Sequence, residues 1–291
     1  MADIDFRDLP PFHSTEEILA HPRFPFAREE FVEAMLALYE HKPFLNRLLL
    51  EASRTVLLAI IMCLYARYDE ADRATWPTLR LVADSMAAHQ LASPSRVQDL
   101  VMRLVEVGYL EQRAAPHDRR VRILTPTAKM ITQDQDFLVS HHVPLQILFP
   151  DPGYARIMTR DGAFQLMQRL VSRDLFALGA QILASNPVMM LFQGRDAGIM
   201  ILIKMIEMAG RANGDGPLEV SYSDLGDRFG VSRTHVRELL EEAEQMGLVR
   251  LGKGRGRSVE MTPQLLQAFD RLVADAMSGF DLCYQLALRA A

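Results

Sequence analysis

The chain has 291 residues, of which 49% are hydrophobic and 24% are charged, and this composition predicts a globular protein of one or two domains. Its net charge of −5 excludes a polycation, so binding to nucleic acid would require basic residues concentrated at a local site. The sequence shows no signal-peptide pattern and no apolar run long enough to span a bilayer, so we expect a cytoplasmic protein without membrane contact.

The first predicted element is an acidic helical arm over residues 1–42, and a first larger unit over residues 43–142 follows it. In this unit, leucine, isoleucine and alanine dominate a stretch from about Pro43 to Tyr68, which predicts a helix. A polar loop leads to a shorter helix from about Leu79 to Gln90. These two helices are expected to support the elements that come next in the chain.

The next helix has a defined start, a buried face and an end. Ser93 is a favoured N-cap residue, and Pro94 suits the first helical position. Gly108 is the expected C-terminal stop. Between them, apolar residues recur at the i, i+3, i+4, i+7 spacing that predicts one buried stripe: Val97, Leu100, Val101 and Leu104.

A β-hairpin is expected directly after this helix. The runs 109–112 and 121–124 have the composition of short strands, and the polar residues 113–120 between them predict the hairpin tip. A further helix is expected from Pro126. The order of helix, tight turn, capped helix, glycine and hairpin is that of a winged helix-turn-helix.

Residues 196–291 repeat this order after connecting helices over residues 143–195. Ser223 is expected to cap a helix over Asp224–Phe229, Ser232 to cap the next helix, and Gly247 to end that helix. Strands are then predicted at residues 248–251 and 258–261, with a glycine-rich basic tip at residues 252–257.

The two units align with each other, which predicts an internal duplication. Residues 81–110 match residues 220–249 without a gap, and Thr125-Pro126 matches Thr262-Pro263. The predicted fold is therefore mainly α with small β-hairpin wings, made of two tandem winged helix-turn-helix domains joined by a helical core.

Residues 54–131 resemble the DNA-binding core of the MarR family of bacterial regulators. The motifs that carry the resemblance are Gly108-Tyr109-Leu110-Glu111, Asp118-Arg119-Arg120 and Leu124-Thr125-Pro126. Residues 220–263 resemble winged helix-turn-helix regulators in general and lack the Asp-Arg-Arg signature. Because MarR-like proteins act as two-fold dimers, the resemblance implies that this chain is such a dimer fused into one polypeptide.

The candidate DNA contacts begin on the two capped helices. A recognition helix places its N-terminal residues against base edges in the major groove, where arginine reads guanine, glutamine reads adenine, and serine also donates to phosphate. The residues predicted for these roles, which lie outside the buried stripes, are Ser93, Ser95, Arg96 and Gln98 in the first half and Ser232, Arg233, Thr234, His235 and Arg237 in the second.

The two predicted wings are basic. Arginine at a hairpin tip suits a narrow minor groove, and lysine or arginine elsewhere neutralises phosphate. Asp118, in the first wing, is expected to pair with a neighbouring arginine rather than to contact DNA. The candidate wing residues are Arg113, Arg119, Arg120 and Arg122 in the first half and Lys253, Arg255 and Arg257 in the second.

The expected partner is double-stranded DNA, and the expected activity is that of a transcriptional regulator, either as a monomeric pseudo-dimer or as a homodimer. A small apolar effector is a further possible partner, because the second half supplies many adaptable methionines, among them Met189, Met190, Met200, Met205 and Met208. Two alternatives remain open: a tandem winged-helix replication initiator, and a protein-interaction module that does not bind DNA.

Metal, cofactor and catalytic sites are not expected. The two cysteines, Cys63 and Cys283, are isolated in separate apolar patterns and are expected to be buried and reduced. The histidines are scattered apart from His141-His142, and adjacent residues on a helix do not face one site. None of the hydrolase, zinc-protease or dinucleotide-binding motifs is present.

Overall fold

The computed structural model describes residues 9–42, 46, 52–88, 92–116, 118–212, 216–252 and 258–291. The fold is mainly helical, with two small antiparallel sheets. The first half contains α1 (Thr15–Ala20), α2 (Phe24–Tyr39), α3 (Ala52–Arg67), a 3₁₀ turn (Arg73–Thr75), α4 (Leu79–Ala88), α5 (Pro94–Glu106), β1 (Leu110–Ala115), β2 (Asp118–Pro126) and α6 (Ala128–Leu148).

The second half contains more short helices and a third strand. Its elements are α7 (Ala155–Met158), α8 (Gly162–Ser172), a 3₁₀ turn (Arg173–Leu175), α9 (Phe176–Ala184), α10 (Pro187–Gln193), α11 (Gly198–Arg211), β3 (Leu218–Glu219), α12 (Tyr222–Phe229), α13 (Arg233–Gln245), β4 (Val249–Leu251), β5 (Ser258–Met261) and α14 (Pro263–Ala290). Strand β5 lies between β3 and β4 in a three-stranded sheet.

Helices α5 and α13 begin and end as the sequence predicts. The Ser93 hydroxyl accepts a hydrogen bond from the Arg96 amide at 3.4 Å, and the Ser232 hydroxyl accepts one from the His235 amide at 3.0 Å. Each helix is followed by a glycine in the left-handed conformation, Gly108 at φ 74° and Gly247 at φ 71°. The four residues predicted to start and stop these helices are therefore confirmed in those roles.

The first hairpin is longer than predicted. Strands β1 and β2 pair in register from Leu110–Pro126 to Ala114–Arg122, and a bulge follows at Ala115. The polar stretch 113–120 is therefore mostly strand rather than tip, because alternating side chains keep one face of the hairpin on the protein. In the second hairpin, residues 253–257 lie outside the described residues.

Several predicted boundaries differ from the structure. Ser221, not Ser223, caps α12, because its hydroxyl accepts a hydrogen bond from the Asp224 amide at 3.2 Å. Pro144 lies within α6, so the predicted domain boundary at residue 142 falls inside a continuous helix. Residues 43–45, 47–51 and 89–91, parts of two predicted helices, lie outside the described residues.

Equivalent backbone hydrogen bonds precede the two long helices, α6 and α14. Thr127, which precedes α6, donates its amide to the Tyr109 carbonyl, and Thr262, which precedes α14, donates its amide to the Leu248 carbonyl, both at 3.0 Å. Thr127 is therefore the structural counterpart of Thr262, whereas the sequence alignment had placed Thr125 there. The difference arises because the two hairpins have different lengths.

Further matched contacts join the halves. The His13 amide donates to Asp281 on α14, and the Tyr154 amide donates to Gln146 on α6, both at 2.7 Å. The helix that leads each half also packs against the other half: α2 contacts α6 of its own half and α11 of the second, and α8 contacts α14 of its own half and α3 of the first. The core is therefore shared between the halves.

The apolar side chains form one main core that runs from Ile18 in α1 to Ala287 in α14. A second, small cluster of Trp76, Ala115 and Ile123 lies beneath the first hairpin. In the described part of the chain, no single helix combines the length and apolarity needed to cross a membrane; one pair of helical segments, 162–182 and 187–193, does so only when joined across a bend of 114°.

Candidate nucleic-acid interface

Helix α5 presents its predicted contact residues to solvent. Ser93, Ser95, Arg96 and Gln98 are all exposed, while Val97 is fully buried between them. The Ser93 and Ser95 hydroxyl oxygens lie 3.2 Å apart at the start of the helix. Burial of the apolar stripe fixes the rotation of α5, so these four polar side chains share the outward face of its first turns.

Helix α13 presents a different outward face. Arg233, Thr234 and Arg237 are exposed, and Arg237 Nε lies 3.7 Å from Glu241 Oε1 one turn further along. An exposed ion pair of this length contributes little energy, so Arg237 can exchange it for another partner. Three of the predicted residues on α13 are therefore available to a partner molecule.

His235 is placed differently from its neighbours on α13. It is half-buried, and its Nε2 donates a hydrogen bond of 2.8 Å to the Asp196 carbonyl, which precedes α11. Asp196 in turn lies 3.6 Å from Arg54 on α3 of the first half. The sequence suggested a direct contact to a base, but this hydrogen bond gives His235 a role in holding α13 against the core.

The first hairpin carries basic residues on its solvent face. Val121 packs against the Trp76 cluster, so Arg120 and Arg122, one position away on β2, project from the opposite face. Arg119 is also exposed. All three arginines belong to β2: Arg122 is paired with Ala114, and Arg119 and Arg120 lie in the irregular stretch that precedes this pair.

Acidic residues neutralise part of this hairpin. Arg113 Nη2 lies 2.7 Å from Glu111 Oε2, so Arg113 contributes less net positive charge than the arginines of β2. Asp118 lies 3.6 Å from Arg73 and accepts a hydrogen bond from the Arg120 amide. The expectation that Asp118 pairs with an arginine is confirmed, and its partner comes from the 3₁₀ turn rather than from the wing.

The second hairpin is fixed at its base. The Gly252 amide donates to the Ser258 carbonyl at 2.8 Å, and Arg250 pairs with Glu260 at 2.7 Å across the strands. The predicted contact residues Lys253, Arg255 and Arg257 lie outside the described residues. Their basic character follows from the sequence alone.

No family model, curated protein or solved structure matches the chain. The exposed faces of α5, α13 and β2 are therefore the basis for a functional assignment.

The structure also contains an ionic network that the motif search did not identify. Glu40, at the end of α2, accepts a 3.1 Å contact from Lys204 on α11 and a hydrogen bond from Arg228 on α12. Burial alone would raise the pKa of Glu40, but the hydrogen bonds from Lys204 and Arg228 outweigh it and lower the pKa. The network ties the helix before α13 to the first half.

One signal in the sequence could have revealed this network. Lys204 and Glu207 interrupt an otherwise apolar stretch, and charged residues in a buried helix need partners. In the structure they lie 3.0 Å apart and are both largely buried.

The methionines predicted to line an effector pocket have another role. Met189, Met200 and Met205 are completely buried in the main core, whereas Met190 is 45% exposed. The cavities found among the described residues are lined by other side chains. In the same described ranges, no group of three or more histidine, cysteine or acidic residues is arranged to hold a metal ion.

Proposed function

We propose that this chain is a sequence-specific DNA-binding transcriptional regulator that presents one winged helix-turn-helix module from each half. One observation carries the proposal. The chain twice builds a helix, a serine-capped helix with exposed polar residues, a left-handed glycine and a pair of antiparallel strands. The MarR-like motifs in residues 54–131 support the same function.

The exposed side chains suit the two parts of DNA recognition. On α5, Arg96 and Gln98 have the chemistry to read guanine and adenine in the major groove, while Ser93 donates to phosphate. On β2, Arg120 and Arg122 neutralise phosphates beside the helix. This division explains how a chain with a net charge of −5 binds a polyanion: its positive charge is local.

The shared core supports a fused pseudo-dimer. Matched contacts, and leading helices that pack against the other half, are what a two-fold dimer with intertwined helices would keep after fusion. Two modules related in this way bind half-sites about one helical turn, roughly 34 Å, apart. Because Arg96 and Gln98 have no identical counterparts on α13, the operator is only partly palindromic.

We expect the purified protein to bind a subset of genomic fragments with a steep salt dependence. Each phosphate that the arginines neutralise releases counterions, so the logarithm of the association constant falls linearly with the logarithm of the salt concentration. Electrophoretic or fluorescence binding assays at several salt concentrations measure this slope. The absence of salt-sensitive binding to any fragment would favour the protein-interaction alternative.

We expect Arg96→Ala and Arg237→Ala each to weaken specific binding by about 1–3 kcal/mol, with each variant losing discrimination at a different half-site. Footprinting on the selected operator measures which half-site is lost. The matched control is Arg160→Ala, since Arg160 is equally exposed but pairs with Asp136 on α6, away from both modules. If neither Arg96→Ala nor Arg237→Ala differs from this control, α5 and α13 are not the reading helices.

A further inference from the structure

The end of helix α12 is held by residues from the first half of the chain. The Arg228 guanidinium donates a hydrogen bond to Glu40 from Nη1 and a 2.8 Å hydrogen bond to Asp224 from Nε. Glu40 also lies 3.1 Å from Lys204 on α11. The side chains of Arg228 and Glu40 are only 25% and 19% exposed, so water and salt screen this pair incompletely. The pair therefore fastens α12 to the end of α2.

The backbone of Arg228 is held from the same side. A helix leaves its last carbonyls without partners inside the helix, and Arg228 lies in the last turn of α12. Its carbonyl accepts hydrogen bonds from the His41 amide at 3.2 Å and from Asn46 Nδ2 at 3.4 Å. His41 adopts a φ of 58°, which is unfavourable for a residue with a side chain, in order to make this contact. We call these five residues the Arg228 cluster: Arg228, Asp224, Glu40, His41 and Asn46.

A short, closely packed turn connects the Arg228 cluster to α13. Gly230 follows α12 with a φ of 78°, and Ser232 caps α13 two residues later. A Cβ added at Gly226 would lie 2.6 Å from the Val231 carbonyl oxygen, so the turn rests directly on α12. Because a close-packed turn of this length cannot stretch, the position of α12 determines the position of α13.

The first half has other residues at the equivalent positions. The alignment of the two units places His89 opposite Arg228 and Ser85 opposite Asp224. Ser85 donates its hydroxyl to a carbonyl of its own helix, α4, at 2.8 Å. The sequence of the first half therefore supplies neither the guanidinium nor the aspartate of the Arg228 cluster at these two positions.

The leading helices of the two halves also end differently. Helix α2 is continuous from Phe24 to Tyr39, and it brings Glu40 to α12. In the second half, the 3₁₀ turn Arg173–Leu175 separates α8 from α9, and α9 packs against α10 and α14. Helix α4, the equivalent of α12, packs against α3, α5 and β2 of its own half. The course of the chain that brings Glu40 to α12 is therefore different in the second half.

We propose that Arg228 is a positioning residue for DNA recognition, and that it makes the second half-site the more stringently read half of the operator. By holding α12, Arg228 holds α13 in one orientation, so its exposed Arg233 and Arg237 meet the bases without prior rearrangement. Helix α5 is supported within its own half and adjusts more freely to the bases that it meets. The effect on the operator rests on the proposed DNA-binding function, whereas the restraint on α13 is measurable without DNA.

Amide hydrogen exchange of the full chain without DNA tests the restraint on α13. Arg228→Ala should raise exchange in α13 about tenfold and leave α5 unchanged, because local opening of the second module no longer breaks the Arg228 cluster. Arg271→Ala is the matched control: Arg271 also donates from Nε to an aspartate four residues away, Asp275, and from Nη1 to a glutamate of another helix, Glu16. It should change neither helix. Unchanged exchange in α13, or an equal rise in both helices, would overturn the proposal.

Binding to two altered operators, each with one half-site scrambled, tests the role in recognition. The unmodified protein should lose more affinity when the second half-site is scrambled than when the first is. Arg228→Ala should diminish the loss at the second half-site about tenfold and leave the loss at the first unchanged. A smaller folded fraction would instead weaken binding to every operator by the same factor. Arg228→Lys, which keeps a cation beside Glu40, should restore part of the discrimination.

The two measurements fail in different ways. Equal discrimination at the two half-sites by the unmodified protein, or an unchanged ratio in Arg228→Ala, would overturn the positioning role. Failure of the unmodified protein to bind any DNA would contradict the proposed function, while the exchange measurement would still decide whether Arg228 restrains α13.

Discussion

Replacing Asp134 by alanine should lower the free energy of unfolding by about 3–5 kcal/mol. Asp134 and Arg169 are both buried, with side chains 7% and 6% exposed, and Gln165 donates a further 2.7 Å hydrogen bond to the same carboxylate. Without the carboxylate, the Arg169 guanidinium would remain charged in the core without a counterion. Equilibrium denaturation in urea at neutral pH measures the loss.

Two further variants separate this cause from simple loss of packing. Asp136→Ala removes a carboxylate from the same helix, but its pair with Arg160 is exposed, so the expected change is within about 1 kcal/mol. Asp134→Leu combined with Arg169→Met removes both charges and should recover most of the stability. A double variant as unstable as Asp134→Ala would show that the ion pair is not the cause.

The protein should lose roughly 4 kcal/mol of stability between pH 7.5 and pH 5, about 2 kcal/mol for each of His141 and His142. Burial lowers the pKa of His141 to about 3 and that of His142 to about 4, against an ordinary value of 6.5. Below pH 6.5 the unfolded chain takes up protons that the folded chain cannot, so stability falls as the pH drops. Denaturation midpoints at several pH values measure the effect.

The surroundings of the two histidines explain the depressed pKa values. His141 lies among Phe31, Phe137 and Phe280, and its Nδ1 donates to the Phe137 carbonyl at 2.8 Å. The neighbouring charge of Arg169 lowers both pKa values further, whereas Asp281 opposes the shift at His142 only. In both rings, burial outweighs the groups that favour the charged form.

His141→Phe should halve the pH slope, because an aromatic ring remains in the same packing without a titratable nitrogen. His41→Gln is the control, since the His41 side chain is 69% exposed, and the slope should persist in it. An unchanged slope in His141→Phe would contradict the assignment of the effect to the buried histidines.

Local chemistry made helices α5 and α13 predictable. Ser93 and Ser232 cap helices whatever the rest of the fold does, and Gly108 and Gly247 allow the left-handed turn that ends them. The buried stripe of α5 follows from its own spacing. The mainly helical fold with small antiparallel sheets therefore follows from short-range patterns.

The remaining features depend on residues far apart in the chain. The hydrogen bond from His235 to Asp196 and the network around Glu40 each require a partner from another element. Strand length in the first hairpin depends on Trp76, which packs beneath it from a preceding loop. The sequence indicates that Lys204 needs a partner, but spacing along the chain does not identify Glu40 as that partner.

The packing of each leading helix against the other half has a consequence for how changes spread through the molecule. Because α2 rests on α11, a substitution on the inner face of α2 perturbs the module of the opposite half, and α8 acts on the first module in the same way through α3. Each half therefore needs packing contacts from the other half to stay folded. We expect a fragment that contains only one half to expose a large apolar surface and to lack a stable tertiary structure.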